Sequence, residues 1–265
     1  MAERSGVWVY AVAENAAADS VRGVRGVADG PVHTVTVSGL TAIVEDVPLD
    51  RFSESALRRN LEDLAWLEAA ARAHHRVIDA AAGGGPVVPM RLATVYSGEA
   101  GVRAALADRA TDFRGALSRI GTQQEWGVKA YAVPPRAAAP PPENAPPGPA
   151  AAGAGAAYLR RRREQISGHE QARQSALAAA RTVHAALSRL AAQTRLHPPQ
   201  APQLSGNSDQ MLLNAAYLLD GRQSGELAAL VAALAEQHPG VRLELTGPWP
   251  PYSFAGLDEG REGAQ

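Results

Sequence analysis

The chain has 265 residues, of which 46% are hydrophobic, 5% aromatic and 20% charged, and its formal net charge is -1. This length predicts two domains with cores of their own, and the near-neutral charge argues against a bulk polyanion such as DNA as the main partner. Cysteine is absent, which excludes disulfides, thiol nucleophiles and cysteine-based metal sites.

The first 122 residues predict an α+β domain that begins with a buried strand over 7–13. A signal peptide is the alternative for this apolar stretch, but the residues before it carry no net positive charge. Two strands follow, over 32–37 and 40–47. Only Ser38 and Gly39 separate them, and this two-residue spacing is typical of a hairpin. No apolar stretch is long enough to span a membrane, so we expect a cytoplasmic protein.

Residues 53–82 predict one long helix, with Ser53 as its N-cap and three glycines at its end. A strand over 87–96 and a second helix over 99–120 complete the domain. Apolar residues at helical spacing mark the inner face of the first helix as Leu57, Leu61, Leu64, Ala71, His75 and Ile78.

The densest group of candidate metal ligands is His74-His75 followed by Asp79. Asp79 lies one helical turn beyond His75, so the two side chains share a face and could supply two ligands. Two ligands do not close a metal site, so we favour either a packed His75 that is hydrogen-bonded to Asp79 or a His75 at the rim of the core. The sequence has no phosphate loop, dinucleotide fingerprint or nucleophile elbow. It therefore predicts no catalytic residue, no cofactor and no metal.

Residues 123–256 predict a second domain in which strand, helix, strand, strand, helix and strand follow one another. This is the order of a ferredoxin-like (βαββαβ) domain. A segment over 134–157 holds eight prolines and then only small residues, which predicts a mobile insertion inside this domain. Residues 257–265 predict a disordered tail. The predicted elements cover 126–133, 158–195, 197–206, 211–219, 222–237 and 241–246.

Four arginines, from Arg160 to Arg163, open the predicted helix over 158–195. They could bind an anion or a nucleic acid, but no aromatic residues are interleaved for base stacking, so we favour a solvated helix face. Positive charge at a helix N-terminus opposes the macrodipole, and a partner's carboxylate would offset it.

The segment 247–254 reads GPWPPYSF. It is too rich in proline for a sheet interior and too rich in aromatic residues for a disordered terminal segment. We expect Trp249, Tyr252 and Phe254 to pack back onto the protein, because each would lose burial energy in water.

Several segments combine into a recognisable set. They are EWGVK at 125–129, with Trp126 and Lys129, MLLNAAYLL at 211–219, with Asn214, and the closing segment, with Pro248, Trp249, Pro250 and Tyr252. Further matches lie at 6–12, at 64–78 and at 157–159 before the arginines. In this order, from about residue 6 to 254, the set resembles the gas vesicle protein L/F family.

The resemblance implies a non-enzymatic accessory protein of gas vesicle formation, chaperone-like or a minor component of the vesicle. Its implied partners are the small apolar shell protein and other gas vesicle accessory proteins, with no nucleic acid and no membrane. An apolar subunit of that kind must be kept from aggregating before it polymerises. The alternative is a ligand-sensing or regulatory module, or an enzyme on a phosphorylated substrate, that uses the arginines from Arg160 to Arg163.

The resemblance also nominates partner-binding residues. The family's L-P-L/M-R-F-G-T strand matches residues 88–94 here, with Leu92 and Ala93 in place of Phe and Gly. Pro89, Arg91 and Thr94 are the nominated residues. Arg91 either orients the shell subunit or pairs with a local carboxylate. We expect the first domain to bind the shell subunit, through the free edge of the 32–47 hairpin or along the long helix.

Overall fold

The computed structural model describes residues 5–14, 17–134, 154–199 and 209–256. Contacts divide the chain into two units, Met1–Trp126 with Leu218–Arg222 and Gly247–Gln265, and Gly127–Tyr217 with Gln223–Thr246. The predicted insertion over 134–157 lies mostly outside the described residues, and the predicted tail over 257–265 lies outside them entirely. Both units mix helices and strands, so the predicted α+β class is confirmed.

The sheet of the first unit has the strand order β2-β3-β1-β4, and β5 pairs with β1 beside β4. Its strands run antiparallel to their neighbours. The elements are β1 (Ser5–Glu14), α1 (Ala17–Ser20), β2 (Val32–Val37), β3 (Leu40–Pro48), α2 (Leu49–Phe52), α3 (Glu54–Asn60), α4 (Leu64–Ala82), β4 (Val87–Pro89), β5 (Val95–Tyr96), α5 (Glu99–Asp108) and α6 (Ala110–Ile120).

The predicted hairpin is confirmed in β2 and β3. Its register pairs Val37 with Leu40, and the two turn residues have positive φ, 50° at Ser38 and 82° at Gly39. Positive φ at both positions is what a type I′ turn requires, and this turn matches the natural twist of a hairpin. Strand β1 lies inside the sheet, and every residue of it between its two ends is buried.

The predicted single helix over 53–82 is wrong, since two helices, α3 and α4, occupy this stretch. Asp63 starts α4 afresh, because its carboxylate accepts hydrogen bonds from the backbone amides of Ala65 (2.9 Å) and Trp66 (3.3 Å). Ser53 precedes α3, but its side chain makes no capping hydrogen bond. The predicted strand over 87–96 is divided into β4 and β5, and the helix over 99–120 into α5 and α6.

The break before α4 changes which residues face the core. A helical face continues only along one uninterrupted helix, so residues before and after the break need not align. Leu61 is 39% exposed and Leu64 is 79% exposed, and Ala71 is exposed too, so these three predictions were wrong. The residues that α4 buries are Ala70, Ala73, His74, Val77, Ile78 and Ala81.

The second sheet has the strand order β7-β8-β6-β9. A short strand, β7, begins at Gln193, so the predicted helix over 158–195 is wrong at its C-terminal end. That helix begins at Ala154 and ends at Leu190. The elements are β6 (Gln123–Ala132), α7 (Ala154–Leu190), β7 (Gln193–Leu196), β8 (Met211–Asp220), α8 (Ser224–Gln237) and β9 (Val241–Trp249).

The helices of the second unit bury narrow apolar faces. Helix α8 buries Leu227, Val231 and Leu234, three of its four predicted inward residues, and Leu230 is half-buried. None of the helices in the described part of the chain is long and apolar enough to cross a membrane.

Candidate functional site

Pro89, Arg91 and Thr94 lie in and beside a tight turn over residues 91–94, which joins β4 to β5. Thr94 donates two hydrogen bonds to the Arg91 carbonyl, from its amide (3.2 Å) and from Oγ1 (2.7 Å). Both ends are tied to β1, because the Val9 amide donates to the Thr94 carbonyl (2.9 Å) and the Met90 amide to the Tyr10 carbonyl (2.8 Å). The turn is therefore held rigidly on the sheet.

The three nominated residues differ in what they offer a partner. Pro89 is buried at the end of β4, and Thr94 is half-buried with its hydroxyl engaged inside the turn. Arg91 is exposed at the start of the turn. Of the three, Arg91 is the side chain placed to meet a second molecule.

Ala93 is the third residue of this turn and has a φ of 66°. A positive φ at this position is the requirement of a type II turn, which glycine meets without strain. The replacement of the family's glycine by Ala93 therefore falls on a backbone conformation that favours glycine.

Replacing Ala93 with glycine is expected to stabilise the protein by about 1 kcal/mol. An L-residue in the left-handed region costs about 1–2 kcal/mol, which the change to glycine removes. Glycine also has more conformational freedom in the unfolded chain, and this offsets part of the stabilisation. Urea unfolding of the Ala93→Gly variant measures the difference. Ala104→Gly, at an exposed position within α5, is the control and should lose about 1 kcal/mol. Equal losses in the two variants would contradict the strain argument.

His74 is buried beneath this turn, where sequence patterns had placed His75. Trp8 Nε1 donates to His74 Nδ1 (3.0 Å), and His74 Nε2 donates to the Met90 carbonyl (3.0 Å). Burial lowers the pKa of His74 to about 4, so the imidazole is neutral near pH 7. The two ring nitrogens of His74 thus connect α4 to Trp8 in β1 and to Met90, the residue before Arg91.

A second buried polar group, Glu45, was not indicated by the sequence at all. Its carboxylate is fully buried and accepts hydrogen bonds from Tyr10 Oη (2.5 Å) and from the amides of Ala28 (3.2 Å) and Gly30 (2.7 Å). Burial and the bond to Glu45 raise the pKa of Tyr10, whose hydroxyl also accepts from the Val27 amide (2.8 Å). Glu45 therefore fixes the loop before β2 onto the sheet.

The segment 247–254 is held on the first unit, and the prediction that its aromatic residues pack back is confirmed for Phe254 but not for Trp249 and Tyr252, which are exposed. Phe254 is buried, and the Glu125 carboxylate accepts from the Ser253 amide (2.8 Å) and Oγ (2.6 Å). The ring of Trp249 lies edge-on to that of His75, with centroids 5.3 Å apart. Trp249 remains 44% exposed and Tyr252 38% exposed. The segment is thus anchored while it presents two aromatic rings.

The interpretation of His75 as a rim residue paired with Asp79 is confirmed, with His75 Nε2 3.2 Å from Asp79 Oδ2. In the ranges that the structure describes, no group of three or more His, Asp or Glu residues is placed to hold a metal ion.

The other residues of the sequence motifs occupy structural positions. Asn214 Nδ2 donates to the Pro198 carbonyl (3.0 Å), and this bond holds the chain that follows β7. Trp126 and Lys129 are half-buried in β6, and Pro248 is exposed in β9.

The arginine run lies on an exposed part of α7, and Arg160, Arg162 and Arg163 are all exposed. Because α7 begins at Ala154, the run starts beyond the first helical turn. The predicted conflict with the macrodipole is correspondingly weak, since that effect falls off within the first turn.

Comparison with known proteins identifies the chain's relatives. A family model described as gas vesicle synthesis protein GvpL/GvpF matches residues 6–256. Gas vesicle protein L of a Streptomyces species is 42% identical over 252 residues, which are 95% of this chain and 93% of that protein. Gas vesicle protein L1 of Halobacterium salinarum is 25% identical over 95% of this chain and 90% of its own length.

The fold agrees with solved structures. The crystal structure of the gas vesicle protein GvpF from an Anabaena species aligns with a TM-score of 0.63 at 17% identity, over 96% of this chain and 97% of that one. GvpF from Microcystis aeruginosa aligns with the same TM-score at 18% identity, over 95% and 99% of the two chains. At such identities the likeness concerns the fold alone. The family model and the Streptomyces relative each span nearly the whole chain, and the chain therefore belongs to the gas vesicle synthesis protein GvpL/GvpF family.

Proposed function

We propose that this chain is a non-enzymatic accessory protein of gas vesicle formation that acts at the gas vesicle without a cofactor. The observation that carries the proposal is the family match over residues 6–256, together with a relative of 42% identity named gas vesicle protein L. Its task is to bind the small apolar shell protein and keep it competent for assembly. Masking an apolar subunit before it polymerises limits aggregation.

The first unit is the proposed site of shell-protein binding, and Arg91 is its proposed orienting contact. A rigid turn that presents an exposed guanidinium is already ordered, so little conformational entropy is lost when a partner binds. The hydrogen bonds of the 91–94 turn to β1 support this, since they hold the backbone on which Arg91 stands.

The edge of β2 is a weaker candidate than the 91–94 turn. Arg103 Nη1 donates to the Thr36 carbonyl (3.2 Å) and Arg114 Nη2 to the Ser38 carbonyl (2.6 Å), so helix side chains already use backbone acceptors there. Natural proteins cover sheet edges in this way. Strands β3 and β1 lie between β2 and the β4–β5 side, so one strand added to β2 would not reach Arg91.

The second unit is proposed to support the first and to present a surface to other accessory proteins. Its element order and its sheet order β7-β8-β6-β9 favour the ferredoxin-like description. We keep the domain boundary before residue 123 as part of this proposal, since β6 begins there.

Co-purification of the full chain with the shell protein tests the proposal. Arg91→Glu is expected to weaken binding about tenfold, the size of effect that loss of one orienting charge contact produces. Arg58→Glu is the matched control, because Arg58 is an exposed arginine of the same unit that pairs with Glu54 (2.6 Å). The full chain is used because residues 247–256 belong to the first unit, and truncation after 122 would remove them.

Two outcomes contradict different parts of the proposal. Equal binding by wild type, Arg91→Glu and Arg58→Glu would remove Arg91 from the interface while leaving the function in place. No binding of the shell protein by the wild-type chain would contradict the function itself.

A further inference from the structure

Helix α7 extends well beyond the core that it covers. Its buried residues, Ala176, Ala180, Val183 and Leu187, lie at steps of four, three and four. From Arg162 to Gln174, every residue whose side chain the structure describes is exposed, except for a half-buried Ala172. At 1.5 Å per residue, this part of the helix is about 20 Å long. A helix that is polar on all sides is stabilised by side-chain pairs along it or by another element that it reaches.

The same spacing continues toward the N-terminus of α7, but there most of the residues at these positions are polar or charged. Further steps of three and four from Ala176 reach Arg173, His169, Ile166 and Arg162. These four residues, here called the cationic stripe, line one shared surface together with Glu170. Alternating steps of three and four define the face on which one helix packs against another.

The cationic stripe has an exposed apolar centre, since Ile166 is 59% exposed. Its charge is only partly balanced within the chain. Arg173 makes a two-pronged ion pair with Glu170 (2.9 and 3.0 Å), which lowers the pKa of Glu170. Within the described part of the chain, no carboxylate pairs with Arg160, Arg162 or Arg163. An apolar centre flanked by positive charge complements a surface that is apolar with acidic flanks.

We propose that the cationic stripe docks an acidic amphipathic helix of another protein. Apolar residues of that helix would pack on Ile166 and on the aliphatic stems of Arg162 and Arg173, while its carboxylates would pair with the guanidinium groups. A second copy of this chain fits poorly, because antiparallel pairing of two stripes would bring arginines together. The assignment does not depend on shell-protein binding, which we place on the first unit.

A synthetic acidic peptide is the direct probe. It consists of about four heptads with leucine at the a and d positions and glutamate at the flanking positions, and carries a fluorescent label. Titration of the full chain by fluorescence anisotropy is expected to give binding at least about tenfold tighter than for the same peptide with lysine in place of glutamate. Circular dichroism should show that the peptide gains helix when it binds.

Variants of the full chain locate the contact. The double change Arg162→Glu and Arg173→Glu should weaken binding by more than about tenfold, and Ile166→Ser by about fivefold, since the apolar contact is lost. Arg181→Glu is the control, because Arg181 is exposed on the same helix outside the stripe, and binding should stay within about twofold. All the changed side chains are exposed, so each variant is expected to keep the wild-type melting temperature.

Three results would overturn the assignment. One is that a proline-interrupted peptide of equal charge binds tightly and that Ile166→Ser binds as well as the wild type. This result would indicate a surface that binds any polyanion. Another is self-association of the chain that the double change abolishes, which assigns the stripe to a homodimer. The third is equal binding by wild type and the double variant, which places the peptide elsewhere.

Discussion

Replacing Glu45 with alanine is expected to lower the free energy of unfolding by about 3–5 kcal/mol. The change removes the acceptor for the Tyr10 hydroxyl and for the amides of Ala28 and Gly30. A buried donor left without an acceptor costs about 1–3 kcal/mol, and the vacated space adds a cavity term. The expected loss in free energy of unfolding is larger than for a surface contact, because Glu45 is fully buried.

Urea unfolding of the Glu45→Ala variant measures this loss, and Asp46→Ala is the control. Asp46 is the next residue of β3 and is exposed, so its replacement should change stability by less than about 0.5 kcal/mol. A loss below about 1 kcal/mol for Glu45→Ala would show that water replaces the carboxylate at little cost.

Gly26 provides an independent check on the same contact. A Cβ at this position would lie 2.1 Å from Glu45 Oε2 and 2.2 Å from the Tyr10 hydroxyl oxygen. Gly26→Ala should therefore be strongly destabilising in the wild type and less so in a Glu45→Ala background, where the clash with the carboxylate is removed and the clash with the Tyr10 hydroxyl remains. Such non-additivity is expected for residues that are in contact or share one hydrogen-bond network. Strictly additive losses would contradict the packing of Glu45 beneath Gly26.

The features that the sequence predicted well are those with local signals. The hairpin follows from two residues, Ser38 and Gly39, between β-branched runs, and the inner face of α8 follows from spacing inside one uninterrupted helix. Helix breaks were missed because a single residue decides them. Asp63 caps α4 within a stretch whose apolar spacing is otherwise compatible with one helix.

The buried polar groups could not be predicted from the sequence, because their partners are far away in it. Glu45 and Tyr10 are 35 positions apart, and His74 and Trp8 are 66 apart. Adjacent histidines also look alike in a periodicity argument, and the phase of α4 buries His74 while it leaves His75 at the rim.

The family resemblance pointed to the segment around Arg91 but misjudged the form of that segment. A strand over 87–96 was expected, and the structure has a turn in which Ala93 takes a positive φ. The physical signal was the family's glycine at that position, since glycine is common where the backbone must be left-handed. Alanine at Ala93 hides that signal in this chain.

Acidification is expected to destabilise the protein through His74. Its pKa is about 4 in the folded protein against 6.5 for an ordinary histidine. The unfolded chain therefore takes up the proton first as the pH falls, and the folded state loses stability from about pH 6.5 downward until the loss is complete below about pH 4. The gap between the two pKa values corresponds to about 3 kcal/mol. Protonation is unfavourable because the ring is buried and Nδ1 already accepts a hydrogen bond from Trp8.

The effect of His74 can be separated from that of other titrating groups by comparing pH profiles. His197, whose pKa is also lowered by burial, and all carboxylates titrate in the wild type and the variants alike, so they cancel in the difference. His74→Gln should be less stable than the wild type near pH 7.5 but should lose about 2–3 kcal/mol less between pH 7.5 and pH 4.5. If the His74→Gln profile is as steep as that of the wild type, the fold does not lower the pKa of His74, which contradicts a buried neutral ring whose Nδ1 accepts the hydrogen bond from Trp8.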